Sequence, residues 1–343
     1  MGAVVVAADL DPLVTRGRLR GRGIGAMAGR RLVALIPVLV AVSAGLFAAA
    51  AVSPFDPLVG YLGARYESTS AADKTLLTDQ LGVDAPWYQL YWRWVTDLLG
   101  GDLGVSRGFA QPVSELLAQR IPWTVLLVIV AMTAAVVVAL GAGVWAGMRR
   151  GGLVDRGVAA ACVILQGLPP FVVSLAAIAV FAVGLGWLPP AGLTDAGADP
   201  GFAQVARHLV LPASALALSQ VPWLLLAVRE SVSGNRSEDF VVGAATRGID
   251  ATTITRRHIL PTSLAPFVTI LGVRLPEVVV GAVLVEEIFS WPGVAGAFVQ
   301  SAKDLDMALL AILTVGTTCA VMLGSLLADI AVVVLDPRVR ADG

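Results

Sequence analysis

Lysine all but disappears from this sequence: of 24 basic residues only Lys74 and Lys303 are lysines, and the others are arginine. That scarcity excludes a phosphate-cradling P-loop, which needs Gly-x-x-x-x-Gly-Lys-Ser/Thr. Lys74 precedes Thr75 but follows Thr69-Ser70-Ala71-Ala72-Asp73, without a glycine, and Lys303 precedes Asp304. Charge of either sign is sparse, at 14% of residues, and a net charge of −1 offers nothing to nucleic acid. The only two cysteines, Cys162 and Cys319, lie in apolar stretches, where buried, inert thiols are expected. His208 and His258 are far apart and outside any cluster of metal-ligand spacing, so soluble metalloenzyme readings fall away.

What the chain has in abundance is apolar side chains. They make up 57% of its 343 residues, and the mean hydropathy is +0.81. A soluble globule cannot hide that much, because a large share of any globule faces water. Crossing about 30 Å of hydrocarbon takes roughly 20 apolar residues in a helix, and six segments qualify. They are Leu32–Val52, Ile121–Met148, one helix plus a re-entry within Gly157–Thr194, Leu209–Val228, Leu264–Phe289 and Met307–Ala328. The third is interrupted by Pro169-Pro170 and Pro189-Pro190, and the fifth carries Arg274, Glu277, Glu286 and Glu287. The expected fold class is an all-α integral membrane protein of six transmembrane helices, with a long extracytoplasmic loop (about 53–120) after the first.

Arginine and lysine concentrate on one side of these spans. The residues before the first span, the turn at Arg149, Arg150 and Arg156, the loop after the fourth span, and the tail all fall there. By the positive-inside rule that side is cytoplasmic and holds both termini. Residues 1–29 are rich in Gly and Arg and read as a flexible cytoplasmic extension, and residues 30–343 as the transmembrane domain. The first apolar run, 21 residues long, exceeds the about 7–15 of a secretory signal, so a retained anchor is expected. Gly143 and Gly147 form a Gly-x-x-x-Gly read as a helix-packing feature. Gly21, Gly23 and Gly25 follow no strand and carry no dinucleotide site. Trp87, Tyr88, Tyr91, Trp92 and Trp94 sit at helical spacing over 87–99, as in a helix at the lipid interface or a platform for a soluble partner.

The loop from 229 to 263 is the most informative segment. Glu238 to Arg247 predicts a short helix with acids in its first turn, and Gly248 a left-handed stop. Asp250 or Thr252 would cap a second short helix that ends ahead of Pro261. Helix, glycine turn and helix make a protruding cytoplasmic elbow suited to a groove on a partner, with small Ala244 and Ala245 permitting close approach. The spacing of Ala244, Gly248, Ile259, Leu260 and Pro261 resembles the "EAA" loop of ABC-importer permeases, with Val242 and Gly243 in place of its first two residues.

The resemblance extends along nearly the whole chain. It runs through Arg30-Arg31-Leu32, Ser53-Pro54-Phe55-Asp56-Pro57, Leu81-Gly82-Val83-Asp84, Gly101-Asp102-Leu103-Gly104, Arg120-Ile121-Pro122-x-Thr124 and Gly186-Trp187-Leu188-Pro189-Pro190. It continues through His208-x-x-x-Pro212, Phe289-Ser290-Trp291-Pro292-Gly293 and Leu335-Asp336-Pro337-Arg338-x-Arg340. The chain is similar to the B-type (DppB/OppB-like) permeases of dipeptide and oligopeptide ABC importers.

That resemblance implies a type I ABC importer permease fold in a bacterial inner membrane and a non-catalytic transport subunit. It implies a second, non-identical permease, two P-loop ATPases that bind ATP and Mg2+, and an extracytoplasmic peptide-binding protein. The coupling surface is then expected at Asp239, Phe240, Ala244, Arg247, Gly248, Ile249, Asp250, Leu260 and Pro261. Arg274 and Glu277, three residues apart on one helix, depart from the uncharged residues usual in the family at this depth. They can pair, either lining the translocation pathway, where they are expected with Glu286, or as a structural ion pair against the partner permease. Trp87, Tyr91, Trp94 and Trp291 are expected to dock the binding protein. Close relatives of such permeases import nickel chelates or haem. A self-contained channel or secondary transporter would show repeated spans, and no convincing repeat is visible here.

Overall fold

The computed structural model describes residues 12–335 apart from 54–57, 59–61, 63–64 and 82–84. The residues at 54–57, 82–84 and 336–340 that carry part of the sequence resemblance lie outside the described ones. The described chain is built on long helices. Helix α1 is Pro12–Ala51, so the stretch from Pro12 to Gly29, expected to be flexible, is helical and continuous with the first span. Between α1 and the next span come α2 (Ala71–Leu81), α3 (Trp87–Leu99) and an antiparallel hairpin of β1 (Val105–Ser106) and β2 (Gln111–Pro112).

The remaining long helices are α4 (Val113–Met148), α5 (Leu153–Gln166), α6 (Pro170–Ala177, running on as a π-helix to Gly184) and α7 (Phe202–Asn235). After them come α8 (Asp239–Thr246), α9 (Ala251–Ile254), α10 (Leu260–Ile288), α11 (Val294–Lys303) and α12 (Met307–Leu335). Among the described residues five helices are long and apolar enough to cross a membrane, and α5 with α6, bent by 103°, makes a sixth span if the pair is counted as one. The bend falls at Pro169-Pro170, where the missing amides interrupt the helical ladder.

Helix α7 is the centre of the bundle, packed by α4 along one side and by α10 along another, with α5 and α6 also against it. Sixteen of its residues are buried, far more than its modest hydropathy alone suggests. The α4–α7 seam is close because of Gly143 and Gly147. A Cβ on Gly143 would come within 2.8 Å of Val228, and one on Gly147 within 2.8 Å of the Arg229 carbonyl. The Gly-x-x-x-Gly is therefore a packing device, as expected. Helix α12 packs on α10 and α1, and Arg31 of α1 pairs with Asp329 of α12.

Asp306 fastens the hairpin onto the start of α12. Its carboxylate accepts the Ser106 hydroxyl at 2.6 Å and the Arg107 amide at 2.8 Å. Both cysteines are free, Cys162 fully buried and Cys319 partly so.

Candidate functional site

Three places carry the residues singled out by the sequence: the elbow between α7 and α10, a cavity beside α10, and the opposite end of the bundle. In the elbow, the chain leaves α7 through a tight turn and enters α8, whose end is closed by the predicted glycine. Gly248 has φ +78°. The Ile249 amide donates to the Ala244 carbonyl at 3.2 Å and the Gly248 amide to the Ala245 carbonyl at 3.0 Å. These are the two bonds of a Schellman stop, which needs a left-handed residue at that point. Asp250 then caps α9, its carboxylate accepting the Thr253 amide at 2.9 Å. The Thr253 side chain and amide together hold that carboxyl below the usual aspartate range.

Two elbow expectations change. The second helix does not end ahead of Pro261: Ala251–Ile288 is one continuous helical run. A π-turn over Thr255–Ile259 widens the ladder where Pro261 lacks a donor and its ring would clash. Ala244 is also not on the outer face. It is buried with Val241, Ile254 and Ile259, so its small size lets the elbow fold against itself. Leu260 is half-buried beside it. The outward face consists of Asp239, Phe240, Arg247, Gly248, Ile249, Asp250 and Pro261, all exposed. Phe240 at 42% exposure and Val242 at 55% are large apolar side chains left uncovered by the chain itself.

The second place is a cavity of about 490 Å3 among α5, α6, α7 and α10, with Val321 of α12 at its edge. Arg274 and Glu277 both line it and form an ion pair. Helix α7 contributes two partners that sequence spacing did not reveal. The Arg274 Nε donates to Gln220 Oε1 at 3.2 Å, and its guanidinium lies 4.7 Å from the centroid of the Trp223 ring. Gln220 and Trp223 precede the pair by about fifty residues, so only the packing of α7 on α10 brings them there. The rest of the lining is mostly apolar, including Leu165, Leu168, Val280 and Leu284, with Gln166 and Ser219 as its other polar side chains.

Glu286 is not part of that cavity. It is 1% exposed and its Oε2 accepts the Ala295 amide at 2.9 Å in the first turn of α11. Its backbone carbonyl accepts the Trp291 amide at 2.9 Å. Glu286 thus shapes the corner between α10 and α11 instead of lining a path, because an acid one turn from a helix end is well placed to satisfy the next helix's free amides. The same corner is stapled to α4. Trp291 Nε1 donates to the Trp123 carbonyl at 3.0 Å, the Val294 amide to Thr124 Oγ1 at 3.0 Å, and Arg120 to the Gly293 carbonyl at 3.1 Å.

The four aromatic residues expected to meet a soluble partner divide accordingly. Trp291 is 2% exposed and packs edge-on against Trp123. Tyr91 is buried against Phe47 of α1, its hydroxyl 3.3 Å from Ser43 Oγ, and Trp94 packs on the same Phe47. Only Trp87 remains on the surface, joined there by Tyr88 and Trp92. The apolar stripe of α3 is used to hold α3 on α1, as amphipathic stripes usually are.

Comparison with known proteins gives a consistent result. Residues 139–341 match the family described as binding-protein-dependent transport system inner membrane component. The chain is similar to the oligopeptide transport system permease protein AppB of Bacillus subtilis, 31% identical over 314 residues that cover 91% of this chain and 98% of that protein. It is also similar to the glutathione transport system permease protein GsiC of Escherichia coli O6:H1, 29% identical over 91% of this chain and 97% of GsiC.

Proposed function

The chain belongs to the family of binding-protein-dependent transport system inner membrane components, and from that premise we propose that it forms one half of the membrane pathway of an ATP-driven importer of di- and oligopeptides. It is a membrane permease subunit working with ATPase and binding-protein partners. A second, non-identical permease completes the pathway, and two P-loop ATPases bind ATP and Mg2+ and carry all the hydrolysis. An extracytoplasmic peptide-binding protein delivers the cargo. The peptide reading is supported by relatives named for oligopeptide and glutathione transport. The arginine distribution supports placing both termini and the elbow in the cytoplasm of a bacterial inner membrane.

The observation that carries this reading is the elbow. It is a rigid, capped helix–turn–helix whose outer face bears uncovered Phe240, Val242 and Ile249, in a chain with no P-loop of its own. Closure of the ATPases on ATP moves the elbow as a rigid body. The continuous helical run from Ala251 to Ile288 transmits that movement into α10 without a flexible joint, and α7 enters the elbow from its other side. The cavity lined by Arg274 and Glu277 then changes the side to which it opens. A channel or secondary transporter has no use for such an elbow.

A tagged chain purified in mild detergent from its native membrane tests the assembly. A second permease, P-loop ATPases and a peptide-binding protein are expected to copurify. Recovery of a homo-oligomer alone, from membranes with intact ABC importers, overturns the reading.

A further inference from the structure

The ion pair at the cavity is asymmetric. The Arg274 side chain is 14% exposed and that of Glu277 52%. Arg274 is engaged from within the protein, through Nε by Gln220, through Nη1 by Glu277, and across its face by Trp223. The Glu277 carboxylate, one turn further along α10, is the part presented outward. A carboxylate accepts at about four positions, so pairing with one guanidinium nitrogen leaves it room for another donor. The lining is otherwise mostly apolar, with Val280 and Leu284 on the same helix and Leu165 and Leu168 from α5 and the turn after it, alongside the small polar contributions of Gln166 and Ser219. A molecule entering the cavity meets the negative end of a held pair next to a greasy surface.

We propose that this cavity is a subsite for a protonated amine carried beside an apolar side chain, as at the amino terminus of a peptide whose first residue is apolar. Glu277 contacts the ammonium, and Arg274 is a positioning residue. The proposal rests on the reading above that the cavity belongs to the translocation pathway. The opposite assignment, with Arg274 reading a carboxylate, does not fit a guanidinium already engaged on two nitrogens and one face. The arrangement also explains why an arginine accompanies the acid. A lone carboxylate in this setting is costly, and a neutral pair with satisfied donors lowers that cost while leaving the carboxylate outermost.

The test reads local charge without depending on what the binding protein selects. In the assembled importer carrying Cys162→Ala and Cys319→Ser, Val280→Cys places a thiol one turn from Glu277, at a position 60% exposed. It is treated with methanethiosulfonates bearing either an ethyltrimethylammonium or an ethylsulfonate group, with and without ATP. The thiolate attacks the reagent's divalent sulfur, a disulfide forms, and methanesulfinate leaves, so the reagents differ in the charge they deliver.

The cationic reagent is expected to gain roughly tenfold over the anionic one relative to a free thiol in solution. Glu277→Gln is expected to abolish that gain. Because Glu277→Gln leaves Arg274 without its partner, the double variant Arg274→Gln/Glu277→Gln is run alongside and is expected to lose the preference too. A ratio equal to that of the free thiol, faster anionic labelling, or a preference that survives both variants overturns the amine subsite. Failure of both reagents in every nucleotide state shows a cavity closed to water and overturns the pathway reading itself, a result distinct from labelling without charge preference.

Discussion

Asp155, in the first turn of α5, accepts a hydrogen bond from Arg229 Nε of α7 at 2.5 Å, while its second oxygen accepts the Gly151 amide at 2.8 Å. One carboxylate thus joins the turn between α4 and α5 to the last stretch of α7 before the elbow. Arg236 adds a second tie two turns on, to the Met148 carbonyl. The elbow end of α7 is therefore held to α4 and α5 by defined bonds as well as by the close seam at Gly143 and Gly147.

Removing that carboxylate should weaken both the fold and the transmission. Asp155→Ala leaves Arg229, with a side chain only 22% exposed, with the more exposed and more distant Glu230 at 3.7 Å as its remaining ion-pair partner. The purified complex should melt several degrees lower, and ATP-driven uptake should fall by about threefold or more. Asp155→Asn, which keeps an acceptor but not the charge, should fall between. Melting and uptake of Asp155→Ala equal to wild type would show that the tie carries nothing.

Asp250 gives the elbow a pH dependence of known sign. Its carboxyl titrates below the ordinary aspartate value because Thr253 donates to the ionised form. A depressed folded value means that the stabilisation is complete above the unfolded pKa of about 3.9 and is lost as pH falls through the folded one. The elbow should be insensitive to pH across the neutral range and loosen only in acid. Hydrogen exchange at the Thr253 amide is the measurement. Exchange should quicken in Asp250→Ala at neutral pH and stay slow in Asp250→Asn, which caps without a charge.

The aromatic residues separate into structural and surface groups that substitution can tell apart. Trp291→Ala empties a fully buried site and breaks the bond to Trp123, so it should cost roughly 3–5 kcal/mol and lower the yield of folded protein. Trp92→Ser, at 63% exposure, should leave thermal stability unchanged. Equal melting temperatures for Trp291→Ala and wild type would contradict the stapled corner between α4 and α11.

Much of this architecture is legible in the sequence, and most of the failures share one cause. The spans, the Gly248 stop, the Asp250 cap and the bounds of α3 are local matters of hydropathy, backbone conformation and short hydrogen bonds, and they stand where expected. What sequence does not reveal is which face of an element another element will cover. Tyr91, Trp94 and Trp291 are amphipathic aromatics that suit a partner surface and an internal seam equally well. Ala244 is small for the sake of Val241 and Ile259, not a docking protein. Glu286 suits a translocation pathway until the Ala295 amide is found to donate to it. Pro261 should stop a helix by the local rule, and it does not because five residues of π-turn precede it. Gln220 and Trp223 became visible as partners of Arg274 only through the packing of α7 on α10.

Gly248 offers the sharpest test of the coupling surface, because its two demands can be separated. The backbone there is left-handed, a conformation that asparagine tolerates and most L residues adopt at a cost of about 1–2 kcal/mol. Among the described residues nothing lies within 4 Å of a Cβ built at this position, so a side chain can leave the backbone here without an immediate clash. Gly248→Asn should therefore keep ATP-driven uptake close to wild type. Gly248→Ala should lower it modestly through backbone strain alone. Gly248→Trp projects an indole from the tip of the elbow into the space of a docked ATPase and should cut uptake by more than about tenfold while the chain still accumulates in the membrane. The comparison of Ala with Trp isolates bulk from strain. Uptake by Gly248→Trp at the level of Gly248→Ala would mean that nothing docks against this turn.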